Sequence, residues 1–130
     1  MQTLKTLLAI IIPLIVIDGL WLFTAGKAIY PKFIGHLMAP DTTWIPIIIF
    51  YLLYTVGLFV YVVNPSLHAN TTWIVVLVKG LLFGLVAYGA YDLTNHATLL
   101  NWKTPMTIID MAWGATVTGL ASLIAYLWVK

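Results

Sequence analysis

Four long apolar stretches run along the chain, separated by short polar segments. They cover residues of about 4–25, 44–63, 73–97 and 105–128. Each is long enough to cross a bilayer, because a helix needs about 20 apolar residues to span the hydrocarbon core. The second stretch is expected to stop before Asn64-Pro65, since a residue that precedes proline disfavours the helical conformation. The pattern therefore predicts four transmembrane helices.

The segment between the first two stretches has a different pattern. Its apolar side chains recur at the i, i+3, i+4, i+7 and i+8 positions of a helix, at Tyr30, Phe33, Ile34, Leu37 and Met38. The lysines and the histidine of the segment fall between them. This spacing predicts a short amphipathic helix over about 28–38 that lies in the membrane interface.

The amino-acid composition also indicates a membrane protein. The 130 residues are 62% hydrophobic and 8% charged, whereas a soluble domain carries about a quarter charged residues. We therefore predict one all-α membrane domain, residues 1–130, built as a four-helix bundle. Cysteine is absent, which excludes disulfide and thiolate chemistry, and the scattered net charge of +2 does not indicate nucleic-acid binding.

Tryptophans mark the expected membrane boundaries. In an antiparallel bundle Trp44 and Trp102 fall on one side, and Trp73 and Trp128 fall on the other, as the aromatic belts of membrane proteins do. The six lysines divide between the two sides, so they discriminate little between orientations. Both termini are expected in the cytoplasm.

Three of the four acidic residues lie inside the predicted spans. Counting at about 1.5 Å per residue puts Asp18, Asp92 and Asp110 within about 7–12 Å of the same interface. An ionised carboxylate at a helix centre costs about 2.5–3.5 kcal/mol, so these acids must be protonated, paired, hydrogen-bonded or hydrated. Their convergence predicts a polar site in one leaflet.

Two of these acids belong to a repeated motif. Ile17-Asp18-x-x-Trp21 and Ile109-Asp110-x-x-Trp113 share the pattern I-D-x-x-W. Residues three apart lie on one helical face, so each motif should present its acid and its indole in the same direction. We expect Trp21 and Trp113 to wall the site.

The third predicted span adds a polar stripe. Its members recur at helical spacing, at Tyr88, Tyr91, Asp92, Asn95 and His96. The expected ligand-binding set is Asp18, Asp92, Asp110, Tyr91, Thr94, Asn95 and His96. Tyr88, Gly114, Trp21 and Trp113 are expected to form the wall, and Tyr30 and His36 a lid from the interfacial helix.

Simpler roles remain open for several of these residues. The acids could serve only as interhelical hydrogen-bond acceptors, Thr94 and Asn95 could terminate a helix, and His96 could make an ordinary hydrogen bond. The small-residue motifs Gly80-x-x-x-Gly84 and Ala115-x-x-x-Gly119 favour close helix contact, either within the chain or between copies.

Three functions fit this pattern. The leading hypothesis is a protein that binds or translocates a proton, a cation or a small polar ligand at the aspartate cluster, as a dimer or larger homo-oligomer surrounded by membrane lipids. The alternatives are a membrane enzyme acting on a lipid or isoprenoid, and a small accessory subunit.

The sequence contains no familiar catalytic motif: no G-x-S-x-G, no H-E-x-x-H and no phosphate-binding glycine loop. No cofactor is required, and no metal site is predicted, since only one histidine lies among the acids.

The chain also resembles a known family over nearly its whole length. The segments that carry the resemblance are VIDGLWL, IGHLM, FYLLYTVGLFVYVV, YDLTNHATL and IDMAWG. They are similar to a family of small bacterial predicted membrane proteins, domain-of-unknown-function family 2177. The resemblance implies a four-helix protein of the bacterial inner membrane and brings no established activity. The family's marked positions would fall on Asp18, Tyr91, Asp92, Thr94, Asn95, Asp110, Trp113 and Gly114.

Overall fold

The computed structural model describes all residues from Met1 to Lys130 and is entirely helical. We label its helices α1 (Gln2–Phe23), α2 (Ala25–Ile34), α3 (Trp44–Ala69), α4 (Trp73–Thr98) and α5 (Thr104–Val129). A single 3₁₀ turn, Gly35–Leu37, follows α2. Helices α1, α3, α4 and α5 are each long and apolar enough to cross a membrane. The predicted all-α, four-span fold is confirmed.

Helix α5 is the most buried of the four and packs closely against both α4 and α1. Glycines make the α4–α5 contact possible. A Cβ atom added to Gly84 would lie 2.3 Å from the carbonyl oxygen of Gly114, and one added to Gly80 would lie 2.9 Å from the Cα of Gly119. The small residues of α4 therefore serve a contact within the chain, as one of the two sequence alternatives proposed.

The apolar core and the acids occupy different parts of the bundle. The core joins Ile10 of α1, Leu58 and Val62 of α3, Val76 of α4 and Val117 of α5, all of them completely or almost completely buried. Asp18, Asp92 and Asp110 belong to the other ends of their helices. Packing of the core thus holds the helices together at one end, while polar groups meet at the other.

The second span differs from its sequence prediction. The helix continues through Asn64 and Pro65 to Ala69, six residues beyond the predicted end at 63. A π-helical stretch, Phe59–Val63, accommodates the proline. Pro65 has no N–H to donate to the carbonyl of Tyr61, and a wider turn absorbs this missing bond without ending the helix.

Helix α2 also begins earlier than predicted, at Ala25 rather than near 28. It follows α1 after a bend at Thr24, whose backbone leaves the helical region with φ −117° and ψ −97°. The bend turns the chain so that Tyr30 reaches back toward α5. This turn positions one of the principal donors of the site.

Candidate functional site

Asp18 of α1 accepts hydrogen bonds from two other spans. The indole Nε1 of Trp113 donates to its Oδ1 atom at 2.9 Å, and the hydroxyl of Tyr51 donates to its Oδ2 atom. Both oxygens of this buried carboxyl group are therefore satisfied by side chains of α3 and α5. Asp18 ties three helices together at one depth.

Asp110 of α5 is held by the loop helix. The hydroxyl of Tyr30 donates to Oδ1 of Asp110 at 2.6 Å and accepts a bond of 3.0 Å from the indole Nε1 of Trp21. Burial raises the pKa of Tyr30, and its hydrogen bond to Asp110 raises this pKa further. Tyr30 therefore remains a neutral donor throughout the physiological range.

The two I-D-x-x-W motifs are joined crosswise. Trp113 of the second motif donates to Asp18 of the first, and Trp21 of the first reaches Asp110 of the second through Tyr30. The two indole rings stack with centroids 4.5 Å apart and planes inclined by 8°. Each indole therefore donates, directly or through Tyr30, to the acid of the other helix. The sequence predicted only that the acid and the indole of one motif share a helical face.

Asp92 is the exception among the acids. Its side chain is 0% exposed, and neither carboxyl oxygen has a hydrogen-bond donor. Asp110 of the adjacent helix α5 is the acid that interacts with it. Two carboxylates have no hydrogen to share, so a bond between them forms only when one holds a proton. A buried polar group without a partner costs about 1–3 kcal/mol, and more when it is charged.

A chamber of about 600 Å³ lies against Asp110. Its walls come from α1, α3, α4 and α5 and are otherwise apolar or aromatic: Leu22, Ile47, Phe50, Tyr54, Ala87, Tyr88 and Tyr91. Tyr88 packs on Gly114, where an added Cβ would lie 2.1 Å from the Cγ atom of the ring. Gly114 thus leaves the space that the Tyr88 ring occupies beside the chamber.

Several predicted site residues lie elsewhere. Thr94 is exposed and donates to the carbonyl oxygens of Ala90 and Tyr91 in its own helix, a helix-end role that the sequence left open. His36 is exposed in the 3₁₀ turn, and only Tyr30 of the predicted lid reaches an acid. Asn95 is half-buried one turn beyond Tyr91 and does not line the chamber.

The ring of His96 contacts hydroxyl groups at the start of α5 and does not contact the acids. Its Nδ1 atom lies 3.1 Å from the hydroxyl of Thr107 and its Nε2 atom 3.5 Å from that of Thr104, while Trp102 also donates to Thr107. The predicted wall residues Trp21 and Trp113 likewise face a shallow depression on the α1–α5 surface, not the chamber. Nowhere do three histidine or acidic side chains come close enough to form a metal site.

Helix α3 contributes two tyrosines to the site that were not predicted from the sequence. Tyr51 binds Asp18, and the hydroxyl of Tyr54, which lines the chamber, lies 2.7 Å from the Thr118 hydroxyl. Two tyrosines three residues apart in an otherwise apolar span were the available signal, because a buried phenol needs a partner.

Replacing Trp113 with phenylalanine tests the bond to Asp18. We expect Trp113→Phe to lower the free energy of unfolding by about 1–3 kcal/mol, because one oxygen of a buried acid loses its donor. Chemical unfolding of the detergent-solubilised protein measures the change. Trp44→Phe is the matched control, since Trp44 is 64% exposed; an equal loss in both variants would contradict the bond's importance.

Comparison with known proteins gives one match. Residues 3–127 match the family described as "Predicted membrane protein (DUF2177)". No curated protein and no solved structure matches the chain. The match covers all four spans and agrees with four membrane-crossing helices. The chain belongs to this family of predicted membrane proteins.

Proposed function

We propose that this protein binds a small organic cation at Asp110 in exchange for a proton held between Asp92 and Asp110. The observation that carries the proposal is the complete burial of Asp92 without any donor, together with its interaction with Asp110, the one acid that lines the chamber. The sequence predicted that a proton, a cation or a small polar ligand binds at a cluster of three aspartates. The present proposal assigns this role to two of them, Asp92 and Asp110.

Electrostatics supports a shared proton. Two adjacent buried carboxylates repel each other, and each also loses part of its hydration. One proton between Asp92 and Asp110 removes a charge and supplies the missing hydrogen bond. The remaining negative charge faces the chamber through Asp110.

The chamber supports an organic cation rather than a bare metal ion. Its volume of about 600 Å³ falls in the range of about 300–1,000 Å³ typical of small-molecule sites. Its walls hold one carboxylate and the aromatic rings of Phe50, Tyr54, Tyr88 and Tyr91. Aromatic faces attract cations, whereas a metal ion would require more oxygen or nitrogen ligands.

Competition between the cation and the proton predicts the direction of the pH dependence. If one proton leaves for each cation bound, raising the pH removes the competitor, and the apparent affinity increases by about tenfold per pH unit while the pair is protonated. Thermal unfolding of the detergent-purified protein, with benzyltrimethylammonium, ethylamine or sodium as probes, measures the affinity. A saturating ligand stabilises by about 2.7 kcal/mol at a hundredfold excess over its dissociation constant. No stabilisation by any organic cation, or an affinity that falls with pH, would contradict the exchange.

A membrane enzyme acting on a lipid or isoprenoid is the second candidate. It is favoured by the exposure of chamber walls on the lipid-facing surface, where Phe50 and Tyr91 are 42% and 49% exposed. Such a substrate could approach Asp110 from the bilayer, and Asp110 could act as an acid or base. Incubating the protein with membrane lipid extracts and analysing them for turnover separates this function from simple binding.

A further inference from the structure

A lipid-facing groove extends from the chamber along the boundary between α3 and α4. Two hollows of about 430 and 370 Å³ lie in it, and both are lined by Tyr61, Phe83 and Ala87. Ala87 also lines the chamber, so the three spaces follow one another. The groove is apolar along its length, with a single charged residue at the end farthest from Asp110.

The groove exists because α3 packs against the bundle mainly through its second half. Leu58, Val62 and Val63 are buried there, whereas Ile48 and Leu53 of the first half are 55% and 70% exposed. The π-helical stretch lies at the transition and contributes Val60, Tyr61 and Val62 to the groove. The first half of α3 contacts α4 through aromatic side chains such as Tyr54 and Phe83, and the hollow beside them is open at the surface.

The charged residue at the end of the groove is Lys79 of α4. It is exposed and lies six residues after Trp73, which corresponds to about 9 Å from the start of the helix. A lysine at this depth extends its ammonium group toward the interface. No acidic residue lines this part of the groove, so the groove itself offers no counter-ion.

We infer that the groove binds an anionic phospholipid, with the lipid phosphate at Lys79 and one acyl chain lying along α4 toward the chamber. Because the ammonium group of Lys79 extends toward the interface, an acyl chain that crosses one hydrocarbon leaflet of about 15 Å would cover the hollow lined by Leu82, Phe83 and Val86. The charge at one end and the apolar lining along the rest match the two parts of such a lipid. This site is independent of the cation proposed at Asp110.

A second copy of the chain fits the groove less well. Three of its four acids are buried in the bundle, and Asp41 precedes α3 at the opposite end from the start of α4. If two copies lie parallel in the membrane, no acid of the neighbouring chain would therefore lie near Lys79. Anionic lipids are attracted to basic residues near the membrane surface by about 1 kcal/mol for each residue.

Photo-crosslinking in vesicles tests the inference. The protein is reconstituted in phosphatidylcholine vesicles that carry a trace of phosphatidylglycerol with a photoreactive group on its acyl chain. We expect labelled peptides to map to groove residues such as Leu82, Phe83 and Val86. Lys79→Gln should reduce this labelling about fivefold, which corresponds to about 1 kcal/mol, while Lys79→Arg retains it.

Two comparisons make the result decisive. Lys5→Gln is the matched control, because Lys5 is a lysine on the same side of the bundle but in a different hollow. A phosphatidylcholine analogue with the same photoreactive chain should label the groove less than phosphatidylglycerol does. Equal labelling of the α1 surface, equal labelling by both lipids, or no difference between Lys79→Gln and Lys5→Gln would overturn the inference.

Discussion

Gly84→Ala is expected to destabilise the folded bundle by about 3 kcal/mol or more. The new Cβ atom would lie 2.3 Å from the backbone carbonyl oxygen of Gly114 and 2.7 Å from the side chain of Thr118. A backbone atom cannot rotate away, so α4 and α5 must separate, and overpacking of this kind costs about 1–3 kcal/mol or occasionally more. Titration with a denaturing detergent measures the free energy of unfolding.

The same substitution should also disturb the site. Asp110 lies one turn before Gly114 on α5, and Asp92 lies two turns after Gly84 on α4. A shift between these helices therefore changes the separation of the two carboxyl groups. We expect Gly84→Ala to lose cation-dependent stabilisation together with stability.

Gly19→Ala provides the matched control for Gly84→Ala. Gly19 also lies within a long helix, but no atom lies within 4 Å of its added Cβ. Alanine favours a helix by about 1 kcal/mol relative to glycine, so Gly19→Ala should leave stability unchanged or raise it slightly. Equal losses in the two variants would show that the close α4–α5 approach does not support the fold.

Asp110→Asn is expected to weaken organic-cation binding by at least about thirtyfold, equivalent to about 2 kcal/mol. The reason is that the chamber loses its one negative charge, and removing one partner of a buried charge pair costs about 2–5 kcal/mol. Asp92→Asn should have a different effect. An amide at position 92 imitates the protonated acid but cannot release a proton, so cation binding should be weaker than in the unmodified protein at high pH and should lose its pH dependence.

Thermal unfolding with a cation titration at several pH values measures both effects. Asp41→Asn is the control, because Asp41 is exposed in the loop between α2 and α3. We expect Asp92→Asn to be as stable as the unmodified protein, since the acid it replaces has no donor. Loss of stability in Asp92→Asn, with no change in the pH dependence of binding, would assign the acid a structural role.

Individual residues show how far the site could be predicted. Counting residues from the ends of the predicted spans identified Asp18, Asp92 and Asp110 as candidate site residues, because acids are rare and energetically costly within apolar spans. It could not tell which of them would find donors. The donors of Asp18 are Tyr51 and Trp113, which lie 33 and 95 residues away in the chain.

The polar stripe of α4 shows the same limit. Helical spacing put His96 one turn from Asp92, yet its ring bonds to hydroxyls that the short α4–α5 loop brings alongside. A helical period defines a face but not the neighbour that covers it. Thr94 similarly satisfied its hydroxyl within its own helix, as threonine often does near a helix end.

The amino-acid sequence was sufficient to predict that the protein lies in a membrane, that it has four spans and that its fold is all-α. The physical reason is that a bilayer requires about 20 consecutive apolar residues with internally satisfied backbone groups, and this requirement is written locally along the chain. The tertiary structure alone decided the crosswise pairing of the two I-D-x-x-W motifs, the isolation of Asp92 and the groove that ends at Lys79. These features depend on the approach and rotation of helices distant in sequence, which side-chain packing fixes only once the bundle has assembled.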